Sequence, residues 1–365
     1  INFLDYKKKK GNSSEILLKG IYKKNKELIF KDISITEKNN QILIKDLLFS
    51  KNFKIKDLSY IKLNYRNKND LLNDLELKKN KSNFSINGKS FDATQLINNS
   101  MSDDESTTIF ENFNSKFDIK IGTAYINKND YTKNLAGYFT FKNNKLDKLN
   151  LASTFSNNKK MNLSIETNNQ NETITKFSSD YPKPLIKRYD FIKGFEEGYL
   201  NFNSIKKDGV SNSVLIIDNF KVKEVPVFAK LLSLASLQGI ADLLTGEGIR
   251  FTDFEMRYSS QKGLTNIEEM YAIGPAISIL MDGYIESKKL ISLRGTLVPA
   301  TTINRSIASI PLLGKILIGE KTGEGVFGVS FKIKGPPKNL STTVNPIKTL
   351  TPRFITRTLE KIKKN

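Results

Sequence analysis

The chain has 365 residues, 38% of them hydrophobic, and a formal net charge of +20, so it is long enough for one large or two moderate domains. It contains no cysteine, histidine or tryptophan, which excludes thiol catalysis, histidine bases, disulfides and the usual zinc ligands. We therefore expect no enzyme, no catalytic residue, no metal site and no cofactor. The charge favours anionic partners, although the abundance of lysine, asparagine and isoleucine, which share A/T-rich codons, explains it equally well.

Residues 16–175 repeat one pattern, in which short segments of alternating apolar and polar residues are separated by Asn, Lys, Asp and Gly. Such alternation gives each strand one apolar side. Asparagines between the segments, such as Asn143 and Asn144, suit tight turns because Asn tolerates positive φ. The sequence thus predicts an antiparallel β-meander over residues 1–178. Residues 98–108, rich in Ser, Asp and Asn, predict an exposed loop or insertion.

Apolar stretches become longer beyond Ser179, where we place a domain boundary. The spacing predicts a short helix over 185–195, a strand over 214–222 and a pair of amphipathic helices over 225–244. The last run is nearly long enough to cross a bilayer. A membrane span is disfavoured because Lys230 and Asp242 would each cost about 2.5 to 3.5 kcal/mol near a helix centre.

The strand pattern returns after Gly248, with strands predicted at 251–258, 267–273, 276–283, 290–298 and 326–334. Residues 303–317 predict a short amphipathic helical insert between the last two strands. Residues 352–364 predict a basic amphipathic helix, which either lies on a membrane surface or is solvated. The predicted domains are therefore 1–178, 179–351 and a tail helix at 352–365.

A series of short motifs runs through the C-terminal half. It comprises IDNF at 217–220, LLSLASL at 231–237, LLTGEGIRF at 243–251, LRGTLVPA at 293–300, IPLLG at 310–314, GEGVFGV at 323–329 and VNP at 344–346. In this order the series resembles the C-terminal region of the AsmA/YhdP-like bacterial envelope proteins. One departure is that Thr301 and Thr302 stand where the family often has an aromatic residue.

The resemblance implies a mainly β protein, with a long, strongly bent antiparallel sheet that forms a hydrophobic groove and a few short amphipathic helices in the C-terminal half. It implies a non-enzymatic lipid-transfer protein of the Gram-negative periplasm, anchored in the inner membrane by a segment upstream of this chain. The implied partners are phospholipids, an anionic membrane surface and envelope proteins. The candidate groove residues are Ile61, Leu63, Phe117, Ile119, Ile121, Phe139, Phe141, Leu163, Ile165, Ile277, Ile279, Met281 and Leu293. The candidate membrane-proximal helix residues are Phe228, Leu231, Leu232, Leu243, Ile310, Leu313, Ile316 and Leu317.

The residues by themselves leave other interpretations open. A closed barrel or a sandwich would cover the same apolar strand faces with protein. Exposed sheet edges would suit a structural or assembly factor for outer-membrane biogenesis that binds other proteins. Nucleic-acid binding ranks last, because the aromatic residues form no basic-aromatic recognition motif. A phosphate loop near Lys321 is rejected, because Glu320 replaces the glycine that must precede the lysine.

Overall fold

A computed structural model describes residues 5–24, 27–100, 111, 114–186, 194–234, 242, 246–299, 328–337 and 339–347. The chain forms two compact units, Ile1–Ser179 (unit 1) and Asp180–Asn365 (unit 2). The predicted helices at 303–317 and 352–364 lie outside the described residues, as do the candidates Leu243, Ile310, Leu313, Ile316 and Leu317.

Unit 1 is built from strands and one short helix. Its elements are β1 (Glu15–Lys23), β2 (Glu27–Glu37), β3 (Asn40–Ser50), β4 (Ile55–Asp57), β5 (Tyr60–Arg66), β6 (Leu72–Asn80), β7 (Asn83–Asp92), α1 (Thr94–Ser100), β8 (Ser115–Tyr125), β9 (Tyr131–Lys142), β10 (Lys145–Thr154), β11 (Lys160–Thr167) and β12 (Thr173–Ser179). The strands pair in chain order, and β4 and β5 share β3 as their partner. Among the described strands no pairing joins β1 to β12, so the sheet of unit 1 is open.

One strand pair departs from the predicted meander. β7 and β8 are parallel, whereas the other pairs of unit 1 are antiparallel. Parallel neighbours cannot be joined by a hairpin and need a longer crossover, which here includes α1. The prediction of a loop at 98–108 is therefore wrong for its first three residues, which belong to α1. Asp92 starts this helix by accepting a hydrogen bond from the backbone N–H of Thr94, at 2.9 Å.

The described part of unit 2 consists of antiparallel strands and two short helices. Its elements are α2 (Lys183–Ile186), β13 (Gly194–Lys207), β14 (Val210–Lys223), α3 (Pro226–Leu234), β15 (Ile249–Gln261), β16 (Leu264–Ile273), β17 (Ile277–Glu286), β18 (Leu290–Pro299), β19 (Gly328–Gly335) and β20 (Ser341–Ile347). Neighbouring strands pair in chain order, and no described pairing joins β13 to β20. These ranges confirm the mainly β, antiparallel prediction.

The helix predicted over 185–195 is wrong at its end. Helix α2 is described over Lys183–Ile186, and Phe195 lies in β13 opposite Val222. The ring of Phe195 stacks on that of Phe220, with centroids 5.4 Å apart. Packing across the strands therefore overrides the helical spacing of the local sequence.

A buried carboxylate fixes the first described segment of unit 1. Glu37, only 1% exposed, accepts hydrogen bonds from the Tyr6 hydroxyl at 2.5 Å, the Asn12 side-chain amide at 2.6 Å and the Lys9 backbone N–H at 3.0 Å. The bonds from Tyr6 and Asn12 lower the pKa of Glu37 to about 2. Burial and the hydrogen bond to Glu37 raise the pKa of Tyr6 to about 12. The four groups hold the chain near residues 6–12 against the end of β2.

Candidate functional site

The strand register of unit 1 defines rows of side chains that cross the sheet, because directly opposed residues share one face. One row, which we call the central row, crosses eleven strands and consists of apolar residues and one glycine. Its members are Leu18, Ile33, Ile44, Ile61, Leu77, Ile86, Ile119, Gly137, Leu151, Leu163 and Phe177. With strands about 4.8 Å apart, ten intervals make the row about 48 Å long.

Among the described residues, no second layer of protein fully buries the central row. Leu18 is 58% exposed, and the other apolar members are partly buried, with none of them fully buried. In a sandwich or barrel, facing side chains would bury such a row completely. The only helix described in unit 1, α1, has seven residues. The central row of unit 1 therefore keeps partly exposed apolar surface along its length, within the described residues.

The opposite face of the same strands is polar. The row next to the central row consists of Lys19, Asp32, Lys45, Tyr60, Lys78, Ser85, Asp118, Tyr138, Asn150, Ser164 and Lys176. Ion pairs form between some of these strands, such as Lys148 with Glu166 at 2.8 Å. That contact lowers the pKa of Glu166. Unit 1 thus has one face suited to water and one suited to hydrocarbon.

Phenylalanines reinforce the apolar face of unit 1. Phe84, Phe117 and Phe139 stack across three strands, with ring centroids 4.6 and 4.5 Å apart. Phe141 meets Phe117 edge to face at 6.1 Å. Because Phe84 and Phe117 are 2% and 5% exposed, this ladder is packed core that stiffens the face.

The nine candidates from unit 1 all lie on this apolar face. Ile61, Ile119 and Leu163 belong to the central row, and they are partly buried. Phe139, Phe141 and Ile165 are also partly buried, whereas Leu63, Phe117 and Ile121 are buried and contribute to packing. The prediction omitted Ile33, Ile44, Leu77, Ile86, Leu151 and Phe177, although each stands in an alternating segment that could have indicated it.

Unit 2 has three rows on its apolar face. The inner row is Leu200, Ile217, Phe254, Ala272, Ile279, Leu297 and Val329; the middle row is Phe202, Leu215, Met256, Met270, Met281, Gly295, Phe331 and Val344; the outer row is Ser204, Ser213, Tyr258, Ile267, Gly283, Leu293, Ile333 and Thr342. The three methionines of the middle row are neighbours on β15, β16 and β17. They are partly buried, and methionine adapts its shape to irregular apolar contacts.

Helix α3 lies at the end of the strands nearest the inner row, where the apolar face is closed. Leu231 and Leu232 of α3 are 1% and 0% exposed, and Leu297 is 0% exposed. The candidates Ile277 and Ile279 are buried in the same region, at 0% and 8%. The remaining candidates, Met281, Leu293 and Phe228, are partly buried. Among the described residues of unit 2, partly exposed apolar surface is therefore concentrated in the middle row, whereas Ile267 and Ile333 of the outer row are buried.

The polar sides of unit 2 hold charged groups in pairs. Arg250 contacts Glu197 through two hydrogen bonds of 2.9 and 3.2 Å, which lower the pKa of Glu197. The buried carboxylate of Glu255 accepts hydrogen bonds from the Tyr271 hydroxyl at 2.6 Å and from Arg257 Nε at 2.7 Å. Within the described ranges, no group of acidic residues is placed to hold a metal ion.

Comparison with known proteins adds no relative. The chain matches no protein-family model, no curated protein and no solved structure. None of the helices in the described part of the chain has the length and the apolar content that crossing a membrane requires.

Proposed function

We propose that this chain is a non-enzymatic phospholipid-handling module of the bacterial cell envelope, in which the apolar face carries acyl chains between the inner and outer membranes. The observation that supports the proposal is the central row of unit 1, which is apolar across eleven strands and nowhere fully buried. Removal of one methylene from water contributes about 0.8 kcal/mol. Contact with ten methylenes of an acyl chain would therefore contribute about 8 kcal/mol before the cost of ordering the chain.

The two faces of unit 1 suit this task. The polar rows keep the outer side of the sheet hydrated, and the central row offers continuous hydrocarbon contact without a barrier of charge. The motif series of unit 2, which resembles the AsmA/YhdP-like envelope proteins, points to the same function and to the periplasm as its location. The anionic membrane surface is the partner proposed for the excess of lysine.

Site-specific photo-crosslinking tests the proposal. A photoreactive residue would replace Leu151 or Leu163 in the central row, and matched controls would replace Asn150 or Ser164 on the opposite face. After incubation with phospholipid vesicles, we expect lipid adducts by mass spectrometry from Leu151 and Leu163 and none from the two controls. Equal labelling from both faces, or capture of protein alone, would reject the function.

A second candidate function is that of an assembly factor that binds envelope proteins through a sheet edge. Strand β1 favours it, because all nine of its residues are exposed and Ile16, Leu18 and Tyr22 are 62%, 58% and 67% exposed. Such an edge is a template for another strand. A stoichiometric protein partner that co-purifies without lipid and is lost in Leu17→Lys would support this function. Co-purified phospholipid that persists in Leu17→Lys would support the first.

A further inference from the structure

The topology of unit 2 places four turns on one side of the sheet. Because β13 to β20 pair antiparallel in chain order, the turns of β13–β14, β15–β16, β17–β18 and β19–β20 all lie opposite the end that carries α3. We call this side the turn rim and the other side the helix rim. Neighbouring turns are held together, since the Ser287 backbone N–H donates to the Gly263 carbonyl at 2.8 Å.

The turn rim is positively charged. Each of its four turns carries or adjoins an exposed lysine, and the lysines among the described residues are Lys206, Lys207, Lys262, Lys288, Lys289 and Lys334. The acidic residues in these turns are Asp208 and Glu286. Within the described residues, Lys206, Lys262, Lys288 and Lys289 form no ion pair. On the helix rim the turn between β16 and β17 is uncharged, with Gly274 and Pro275, and cations of β14 and β15 lie in ion pairs, Lys223 with Glu196 and Arg250 with Glu197.

Hydroxyl groups line the apolar face beside the turn rim. The Ser213 hydroxyl donates to the Ser204 hydroxyl at 2.9 Å, and both residues are buried. Ser260 and Thr265, one row closer to the turns, share a hydrogen bond of 2.8 Å. Tyr258 lies beside Ser213 in the outer row. Strands β13 to β16 therefore end in a polar strip between the apolar face and the lysines.

The helix rim has the opposite character. Phe195, Phe220 and Phe251 stack across β13, β14 and β15 with centroids 5.4 Å apart in both pairs, and they are at most 5% exposed. Phe220 also meets Phe254 of the inner row at 6.1 Å. Polarity thus changes along β13 and β15, from phenylalanine and aliphatic core to hydroxyl and then to lysine.

The length over which polarity changes along the strands is similar to the length of a phospholipid acyl chain. Six residues separate Phe254 from Ser260, which corresponds to about 20 Å of strand. Half of a bilayer's hydrocarbon core is about 15 Å thick. An acyl chain laid along the strands would therefore reach from the hydroxyl strip to the inner row.

We propose that the turn rim of unit 2 binds the anionic headgroups of phospholipids, so that lipids lie across the apolar face with the phosphate at the lysines and the acyl chains toward the helix rim. This inference rests on the proposed function and adds to it a headgroup class and an orientation. The lysines attract the phosphate charge, and in the partly buried Ser260–Thr265 pair the hydroxyl that accepts keeps its own O–H for a phosphate oxygen. The buried rings of Phe195, Phe220 and Phe251 offer no hydrogen-bond donor that would replace the hydration of a charged group.

A charge-neutralised variant tests the inference in the full chain. The rim variant carries Lys206→Gln, Lys207→Gln, Lys262→Gln, Lys288→Gln and Lys289→Gln. The control variant loses the same charge on the polar face of unit 1 through Lys19→Gln, Lys45→Gln, Lys78→Gln, Lys120→Gln and Lys176→Gln. Binding is measured with fluorescent phosphatidylglycerol and with diacylglycerol that carries the same acyl chains. Circular dichroism checks that both variants remain folded.

We expect the wild type to bind phosphatidylglycerol on the order of ten-fold more tightly than diacylglycerol, the rim variant to bind both equally, and the control variant to keep the preference. A rim variant that keeps the preference, or a control variant that loses it equally, would overturn the inference and leave the proposed function intact. Wild-type protein that binds neither lipid would reject the proposed function itself. Inorganic phosphate that competes as strongly as the lipid would show a free-phosphate site, which also overturns the headgroup assignment.

Discussion

Unit 1 and unit 2 present similar apolar strand faces, but they expose them differently. In unit 1 the apolar residues of the central row are partly exposed from one end to the other, and both sides of the sheet have lysine-rich turns. In unit 2 the inner row is largely buried beside the nine-residue helix α3, most of the middle row is partly buried, and Ile267 and Ile333 of the outer row are buried. The same alternation of residues therefore serves as core or as surface, according to what the next element of the chain covers.

The largest expected effect comes from the phenylalanine ladder of unit 1. Phe117 is 5% exposed and lies between Phe84 and Phe139. Phe117→Ala should lower the free energy of unfolding of unit 1 by about 3 to 5 kcal/mol, because a large buried ring leaves a cavity. Urea titration followed by peptide-resolved hydrogen exchange measures the loss in each unit. Asp118→Ala, on the opposite face of β8, is the control; an equal loss there would contradict the assignment of the faces.

One leucine substitution in each unit compares the two units directly. Leu297 in unit 2 is 0% exposed, and Leu163 in the central row is only partly buried. Leu297→Ala should cost about 2 to 5 kcal/mol of unfolding free energy, and Leu163→Ala should cost less than half as much, about 1 kcal/mol. Thermal or urea unfolding without lipid measures both. Equal costs would mean that protein covers the central row in solution.

Lowering the pH tests the contribution of the buried carboxylate Glu37 to the stability of unit 1. The pKa of Glu37, about 2 in the folded chain, lies below the value of about 4.3 expected after unfolding. The hydrogen-bonded carboxylate of Glu37 therefore stabilises the folded chain above about pH 4.3, and this stabilisation is lost as the pH falls toward 2. Tyr6→Phe removes the strongest donor, so the folded pKa rises and the variant is less stable at pH 7.

The measurement is the urea midpoint of unit 1 at pH 7 and at pH 3. The difference in urea midpoint between wild type and Tyr6→Phe should be smaller at pH 3, because the wild type has lost part of the stabilisation from ionised Glu37 there. Tyr22→Phe is the control, since Tyr22 is 67% exposed. A difference that stays constant between the two pH values would show that the hydroxyl acts through packing alone.

The smallest effect is expected from an exposed ion pair of unit 2. The side chains of Arg250 and Glu197 are 43% and 55% exposed, so water and salt screen their attraction. Glu197→Gln should leave the urea midpoint of unit 2 unchanged within error, as should Lys148→Gln in unit 1. A clear decrease in the urea midpoint of unit 2 alone would mean that the Arg250–Glu197 contact stabilises the packing of the phenylalanines at the helix rim.

Strand alternation made much of this architecture predictable. Six of the eight described strands of unit 2, β14 to β19, overlap predicted ranges, whereas no strand was predicted for β13 or β20. The register of the strands was not predictable, and neither were side-chain contacts such as Tyr6 with Glu37, because both depend on residues far apart in sequence. The parallel pairing of β7 with β8 and the burial of Ile277 are also tertiary effects. The local alternation of apolar and polar residues indicates which side of a strand is apolar, but it does not indicate what covers that side.

The parallel β7–β8 pair has a consequence for how unit 1 folds. Hairpin neighbours such as β6 and β7 can pair as soon as both have been synthesised, since their turn is short. The partner of Phe84 across the parallel pair is Phe117, and this contact must wait until the chain has passed through α1 and returned to the same edge. Closing that longer loop costs more entropy, and contacts distant in sequence slow folding. We therefore expect β1 to β7 and β8 to β12 to form as two early hairpin stacks, with their junction as the rate-limiting step.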